Sequence, residues 1–247
     1  MSTLDPERSL RALVTGAARE GGIGAAIVTR LERAGMDVVT LDVAPGCTFQ
    51  TDVVNDPMPL LDDIDVLICN AALTTMFGSA HSMKLERWQR DLDVNLTGTF
   101  RVVQACLGGM RARQFGRIVV ISSMAAIHGL PAQVSYSTTK AGLLGMMRTI
   151  AAENVGLGIT CNAVLPGMTA SSGMLAMPER VKDAWLTTMP MGDFVSPEDI
   201  AEAVAFLASA AAGRVTGQQL AVDGGHSLNT LSVTDSAARQ DTPAASK

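Results

Sequence analysis

The chain has 247 residues, 47% hydrophobic and 17% charged, with a formal net charge of −5. That composition excludes a disordered chain, and the lack of an apolar run of membrane-span length excludes a membrane-spanning one. There is no long basic run for nucleic acid, no apolar signal core in "MSTLDPERSLR", and no metal-ligating pattern among four scattered cysteines and three separated histidines.

The expected setting is therefore cytoplasmic, with no membrane, nucleic-acid or metal partner. Arg111, Arg113 and Arg117 form the one basic cluster, and they suit the end of a helix better than a nucleic-acid footprint.

In chain order, apolar runs alternate with helical spacing. "LRALVTG" (10–16) reads as a buried strand that ends in a turn. Residues 23–35 have helical spacing and a glycine stop; 37–43 and 65–72 are strands. Between Asp52 and Asp65 there is room for about one helical turn. The spacing predicts one long helix over 83–113, a continuous β-branched strand over 116–123, a helix over 134–155 and a strand over 158–167. A capped helix over 196–209 and a strand over 217–225 follow. From Ser227 onward the chain is a polar, Ala/Ser/Thr-rich tail.

Continuous apolar strands joined by crossover helices predict an α/β fold: a single-domain, Rossmann-type, doubly wound parallel sheet with helices on both faces. No linker or internal repeat divides residues 1–226.

The connection "LVTGAAREGGIGAA" follows the first strand and opens the first helix. Gly16, Gly22 and Gly24, with Ile23 between the last two, allow a tight turn and the close approach of a pyrophosphate to backbone N–H groups. The helix N-terminus adds a favourable dipole for phosphate. Asp42, 18 residues beyond Gly24, ends the second strand, where a carboxylate accepts hydrogen bonds from an adenosine ribose and repels a 2′-phosphate. That favours NAD over NADP. Arg19, in the turn beside Glu20, is the residue that could instead greet a 2′-phosphate.

Tyr136 is the only tyrosine, and Lys140 follows it by four residues, on the same face of a helix. A phenol of pKa about 10 is a poor base at neutral pH; lowering it by about 3 units takes roughly 4 kcal/mol, which a close cation can supply. Tyr136 is thus a candidate general acid/base for carbonyl reduction or alcohol oxidation. Ser123 ends the 116–123 strand at the sheet edge where open α/β folds bind ligands, with Ser122 the less suited neighbour.

"TGAAREGGIG", "CNAA" (69–72), "VN" (94–95), "VISS" (120–123), "YSTTK" (136–140), "LPG" (165–167) and "AVDGG" (221–225), in this order, resemble the short-chain dehydrogenase/reductase family over about residues 9 to 226. The resemblance implies that Ser123 holds the substrate oxygen, Tyr136 moves the proton, Lys140 holds the nicotinamide ribose and Asn95 holds a relay water. It places Asp52 and Val53 near the adenine, Asn70, Ala71 and Ala72 along the cofactor channel, and Pro166, Gly167 and Thr169 near the nicotinamide. Two features depart from the family pattern: the glycine turn is two residues longer, and Ala72 stands where glycine is usual.

Residues 168–195 correspond to the substrate lid. Met168, Met174, Met177, Met189, Met191 and Trp185 there suggest a hydrophobic substrate group, while Arg180 and Lys182 could reach a carrier such as coenzyme A. The reading is an NAD-dependent secondary alcohol dehydrogenase or ketone reductase, and the alternatives are an NADPH-dependent 3-oxoacyl reductase or a catalytically silent partner of an active homologue. Gly98, Gly108, Ala141, Gly142 and Gly145 on the long helices suit close packing between copies, so a homotetramer or dimer is expected.

Overall fold

Each apolar run becomes a strand covered on both faces. The computed structural model describes residues 8–74 and 77–228; the tail expected from Ser227 lies outside the described residues beyond Leu228. The strands are β1 (Arg11–Thr15), β2 (Asp37–Asp42), β3 (Phe49–Gln50), β4 (Val66–Cys69), β5 (Gly116–Ile121), β6 (Ile159–Pro166) and β7 (Gln219–Val222). They form one sheet in the order β3-β2-β1-β4-β5-β6-β7, with every pairing parallel. The chain's direction of winding reverses between β1 and β4, and that switch point opens a crevice at the carboxyl edge. β3, only two residues long, has no signal in the sequence.

The helices are α1 (Ile23–Arg33), α2 (Leu85–Asp91), α3 (Thr99–Arg113), α4 (Ala125–His128), α5 (Val134–Asn154), α6 (Ser172–Leu175), α7 (Glu179–Leu186) and α8 (Pro197–Ala208). α1 carries Arg30 and Arg33 in its last turn and stops before Gly35, whose φ of +82° suits a residue without a Cβ. α8 starts on a reciprocal cap in which the Ser196 hydroxyl accepts from the Asp199 amide and the Asp199 carboxylate accepts from the Ser196 amide. α3 and α5 cover one face of the sheet, burying Leu13, Leu67, Ile118, Met110, Leu143 and Met147. α1 and α8 cover the other, burying Ala12, Ile27, Leu31, Ile68, Ile200 and Val204.

The helix expected over 83–113 is not continuous. α2 and α3 are separated by a π-helical turn, Leu92–Gly98, in which the wider winding turns the chain and buries Asn95 and Gly98. Gly98 is required there, because a Cβ on it would lie 2.5 Å from Val53 Cγ2.

Between Thr51 and Asp65 the chain makes turns rather than a helix. Arginines from α3 satisfy its carbonyls instead: Arg101 donates to Val53 and, at 2.6 and 2.7 Å, to Val54 and Asp56, while Arg113 donates to Asp62 and, at 2.7 Å, to Ile64. Close contact makes this possible, since a Cβ on Gly109 would fall 1.8 Å from the Asp62 oxygen. Among the described residues, no helix is long and apolar enough to cross a membrane.

Candidate active site

Five strand exits, those of β1, β2, β4, β5 and β6, meet at the carboxyl edge, and polar ties hold them. After β1, Gly16 takes a φ of +68°, and a Cβ on it would lie 2.6 Å from Ala71 Cα. Gly24 is as tightly held, with its Cβ position 2.3 Å from the Gly16 oxygen. The Asn70 side-chain amide donates to the Thr15 and Gly16 carbonyls at 3.0 and 2.9 Å, and the Thr15 hydroxyl accepts from the Asn70 and Ala71 amides at 3.0 Å. These bonds staple the turn after β1 to the end of β4. Ala72 is half-buried, and its backbone is not among the left-handed non-glycine positions, so its methyl group costs no backbone strain.

The helix start beyond this turn fits a dinucleotide. Gly22 is the N-cap of α1 and offers no side-chain cap, and no acid sits in the first turn. The first amides of α1 are therefore left for an anion, with the helix dipole behind them. The Asp42 carboxylate accepts from the Ala18 amide of the turn at 3.1 Å and from the Ala44 amide at 3.1 Å, so it is pinned at the strand end where a ribose would lie. Arg19 is directed to the lid: its guanidinium lies 3.5 Å from the Cβ position of Gly173.

Asp52 accepts from Val54 N and Asn55 Nδ2, both at 2.8 Å, and the Val54 bond holds its carboxyl below the usual range. Val53 beside it is buried.

The candidate reacting groups gather after β5. The Ser122 hydroxyl is buried and donates to the Lys140 carbonyl at 2.8 Å, which removes it from the cleft. Ser123 is half-buried; its oxygen accepts from the Ala125 amide at 3.1 Å, and its hydroxyl interacts with the Tyr136 phenol. Lys140, only 3% exposed, donates to the Ile121 carbonyl at 2.8 Å and sits 5.6 Å from the Tyr136 ring centroid. Burial lowers the Lys140 ammonium to about 8. Burial also pushes the Tyr136 phenol above its ordinary value; the Ser123 hydroxyl opposes this and Asp91 adds to it. Without an oxidised nicotinamide beside it, Tyr136 is an acid rather than a base at neutral pH.

Asn95, fully buried on the π turn, accepts from the Leu73 amide at 2.7 Å and donates to the Leu73 carbonyl at 3.0 Å and to Thr139 Oγ1 at 3.3 Å. Its side chain thus joins the loop after β4 to α5. Gly167 donates its amide to Val222, and its Cβ position lies 2.7 Å from Asp223 Cα, so Pro166 and Gly167 run close under the last strand. Thr169 is buried, with its hydroxyl on the Gly167 carbonyl at 3.2 Å.

The lid methionines divide. Met174 and Met189 are buried, whereas Met177 and Met191 are exposed. The Trp185 ring is 6.1 Å from that of His226, a histidine that sequence reasoning passed over. Lys182 is engaged with Glu179 at 2.5 Å and with the Leu175 carbonyl, while Arg180 is exposed. Sequence reasoning also missed Asp91 and Ser135, which are buried together next to Tyr136.

Comparison with known proteins agrees with this geometry. Residues 49–227 match the family model described as enoyl-(acyl carrier protein) reductase. The chain is 35% identical over 234 residues to a 3-oxoacyl-[acyl-carrier-protein] reductase FabG of Rickettsia bellii, covering 87% of this chain and 95% of that protein. It is 37% identical over 238 residues to an acetoacetyl-CoA reductase of Rhizobium meliloti, covering 87% and 97% respectively. A crystal structure of an oxidoreductase of the short-chain dehydrogenase/reductase family from Burkholderia thailandensis superposes with a TM-score of 0.80 at 32% identity, covering 95% of this chain and 99% of that one.

Asn95→Ala should destabilise the fold, because it strands the Leu73 amide and carbonyl without partners. The expected loss is about 2 kcal/mol or more in denaturant unfolding of the cofactor-free protein. A loss under about 0.5 kcal/mol, the range of an ordinary surface change, would show that these bonds do not hold the loop.

Proposed function

The chain belongs to the short-chain dehydrogenase/reductase family, and from that membership we propose that it is an NADH-dependent ketone reductase acting on a 3-oxoacyl thioester. The observation that carries the reaction type is the meeting of Ser123, Tyr136 and Lys140 beside the strand edge. The substrate class rests on the relatives, whose names specify 3-oxoacyl carrier-protein and acetoacetyl-CoA reduction. The apolar lid supports a fatty-acyl portion, and exposed Arg180 supports a charged carrier outside it.

A bound dinucleotide would supply a hydride to the carbonyl carbon. The Ser123 hydroxyl holds the carbonyl oxygen, and Tyr136 gives that oxygen its proton as negative charge builds there. Lys140, fixed to Ile121 through one of its three donors, has two left for the ribose and keeps a cation beside the phenolate that remains. Asn95 keeps the Leu73 loop and Thr139 at fixed separation around this group. The glycine turn and the uncapped start of α1 would hold the diphosphate, Asp52 and Val53 would meet the adenine, and Thr169 would meet the nicotinamide.

NADH is preferred because of Asp42. Its carboxylate is tied to the turn through Ala18 and would oppose a 2′-phosphate, while the Arg19 guanidinium lies toward the lid, 3.5 Å from the Cβ position of Gly173. We expect wild type to bind NADH more tightly than NADPH at equal ionic strength by about 2 kcal/mol, the size of a close, partly buried charge contact. Asp42→Ala should narrow that gap and Asp42→Arg should reverse it. Equal or tighter NADPH binding in wild type would overturn the cofactor reading.

With acetoacetyl-CoA as the ketone, wild type should oxidise NADH, and Tyr136→Phe should lose at least about two orders of magnitude in kcat, the usual worth of a general acid, with its NADH dissociation constant little changed. Absence of turnover by wild type would overturn the thioester assignment. More than a tenth of the wild-type rate in Tyr136→Phe would overturn the proton-transfer assignment.

A further inference from the structure

Asp91 ends α2, the helix that packs against the first turn of α5. Its side chain is 1% exposed. One carboxylate oxygen accepts the hydroxyl of Ser135, itself fully buried and the residue immediately before Tyr136. The other oxygen, Oδ1, is buried with no hydrogen-bond partner. A carboxyl group in such a place is costly unless something requires it, because an apolar residue of similar volume would avoid the desolvation altogether.

Among the described residues no cation forms an ion pair with the Asp91 carboxylate. From α5 the groups on this side are Ser135, then Tyr136 and Lys140, and Lys140 donates to the Ile121 carbonyl rather than to Asp91. From its own helix and the π turn, Arg87 donates to the Phe77 carbonyl, Arg90 acts on Asp52, and Asp93 accepts from Gln89. The Asp91 carboxyl is governed by burial, which raises it, and by the Ser135 hydroxyl, which lowers it. A carboxyl that keeps such a donor still ionises well below the pH at which a phenol does. In its charged form Asp91 disfavours a second negative charge on the phenol.

We propose that Asp91 is a positioning residue for the reductive reaction: its buried carboxylate, clamped to Ser135, the residue immediately before Tyr136, keeps Tyr136 protonated and so favours giving a proton to a ketone oxygen over taking one from an alcohol. This rests on the acid/base reading of Tyr136. The consequence is a pH range. The carboxylate extends reduction toward alkaline pH and confines alcohol oxidation to more alkaline conditions than the phenol alone would require.

Because Tyr136 is the only tyrosine in the chain, the ultraviolet absorbance of tyrosinate reports its ionisation with no contribution from another phenol. The cofactor-free protein is titrated as wild type, Asp91→Asn, Asp91→Val and Ser135→Ala. Asp91→Asn and Asp91→Val should both lower the midpoint by about half a unit or more, roughly threefold in the proton equilibrium, because each removes the like charge. The valine variant removes the charge without placing an unpartnered amide in the core, and it keeps the test open if the asparagine variant does not fold. Ser135→Ala retains the carboxylate, so its midpoint should stay closer to wild type than to either Asp91 variant.

In acetoacetyl-CoA reduction, the alkaline limb of the kcat profile should move down with the phenol in the Asp91 variants. An unchanged or raised midpoint in a folded Asp91 variant would overturn the proposal, as would an equal fall in Ser135→Ala. Persisting turnover in Tyr136→Phe would overturn the acid/base reading instead, and leaves the titration result standing as a separate fact.

Discussion

The site depends on a lysine that the fold buries without a carboxylate. Lys140 donates to the Ile121 carbonyl, and among the described residues it makes no ion pair. Desolvation of an ammonium is expensive, and here it lowers the group to about 8. The bond joins the end of β5 to the second turn of α5, which fixes Tyr136 relative to Ser123. Ser122 makes the reciprocal tie, from strand end to the Lys140 carbonyl. A pair of bonds between one strand end and one helix therefore sets the distance between the Ser123 hydroxyl and the Tyr136 phenol, the two groups proposed to hold and protonate the substrate oxygen. The rest of the carboxyl edge follows the same plan, with Asn70 and Thr15 joining β1 to β4 and Asn95 joining the loop after β4 to α5.

This edge is electrostatically mixed. Lys140 and, when bound, an oxidised nicotinamide favour the phenolate; burial and Asp91 oppose it. The phenol's proton affinity is a balance of these charges, and a bound cofactor would change it. A proton donor for ketone reduction and a proton acceptor for alcohol oxidation can be the same side chain because the cofactor's own charge changes between the two states.

Much of this was legible in the sequence because the strands are continuous apolar runs and the turns are marked by glycine. Residues 116–123 and 158–167 could hardly be anything but covered parallel strands. The Tyr136/Lys140 spacing and the glycine turn were readable because each chemistry needs fixed residue types at fixed offsets. What escaped had no local signal. β3 is too short to show alternation. The π turn over Leu92–Gly98 keeps the helical pattern on either side and differs only by a wider winding. Asp91 lies in "ERWQRDLD", which reads as a solvated helix face, and only the packing of α2 on α5 turns it inward. The replacement of a helix by arginine bonds from Arg101 and Arg113 is likewise a tertiary event. The place of Asp42 at the end of the second strand was legible, but its bond to the lengthened turn through Ala18 was not.

The claim on which the rest depends is that Tyr136 is an acid/base whose proton affinity the charges around it control. The most direct test is a tyrosinate titration of the wild-type protein with saturating oxidised nicotinamide cofactor, compared with the same protein alone. The cation brought beside the phenol should lower its midpoint by about one unit or more. A midpoint that stays in place or rises when the cofactor binds would contradict the account.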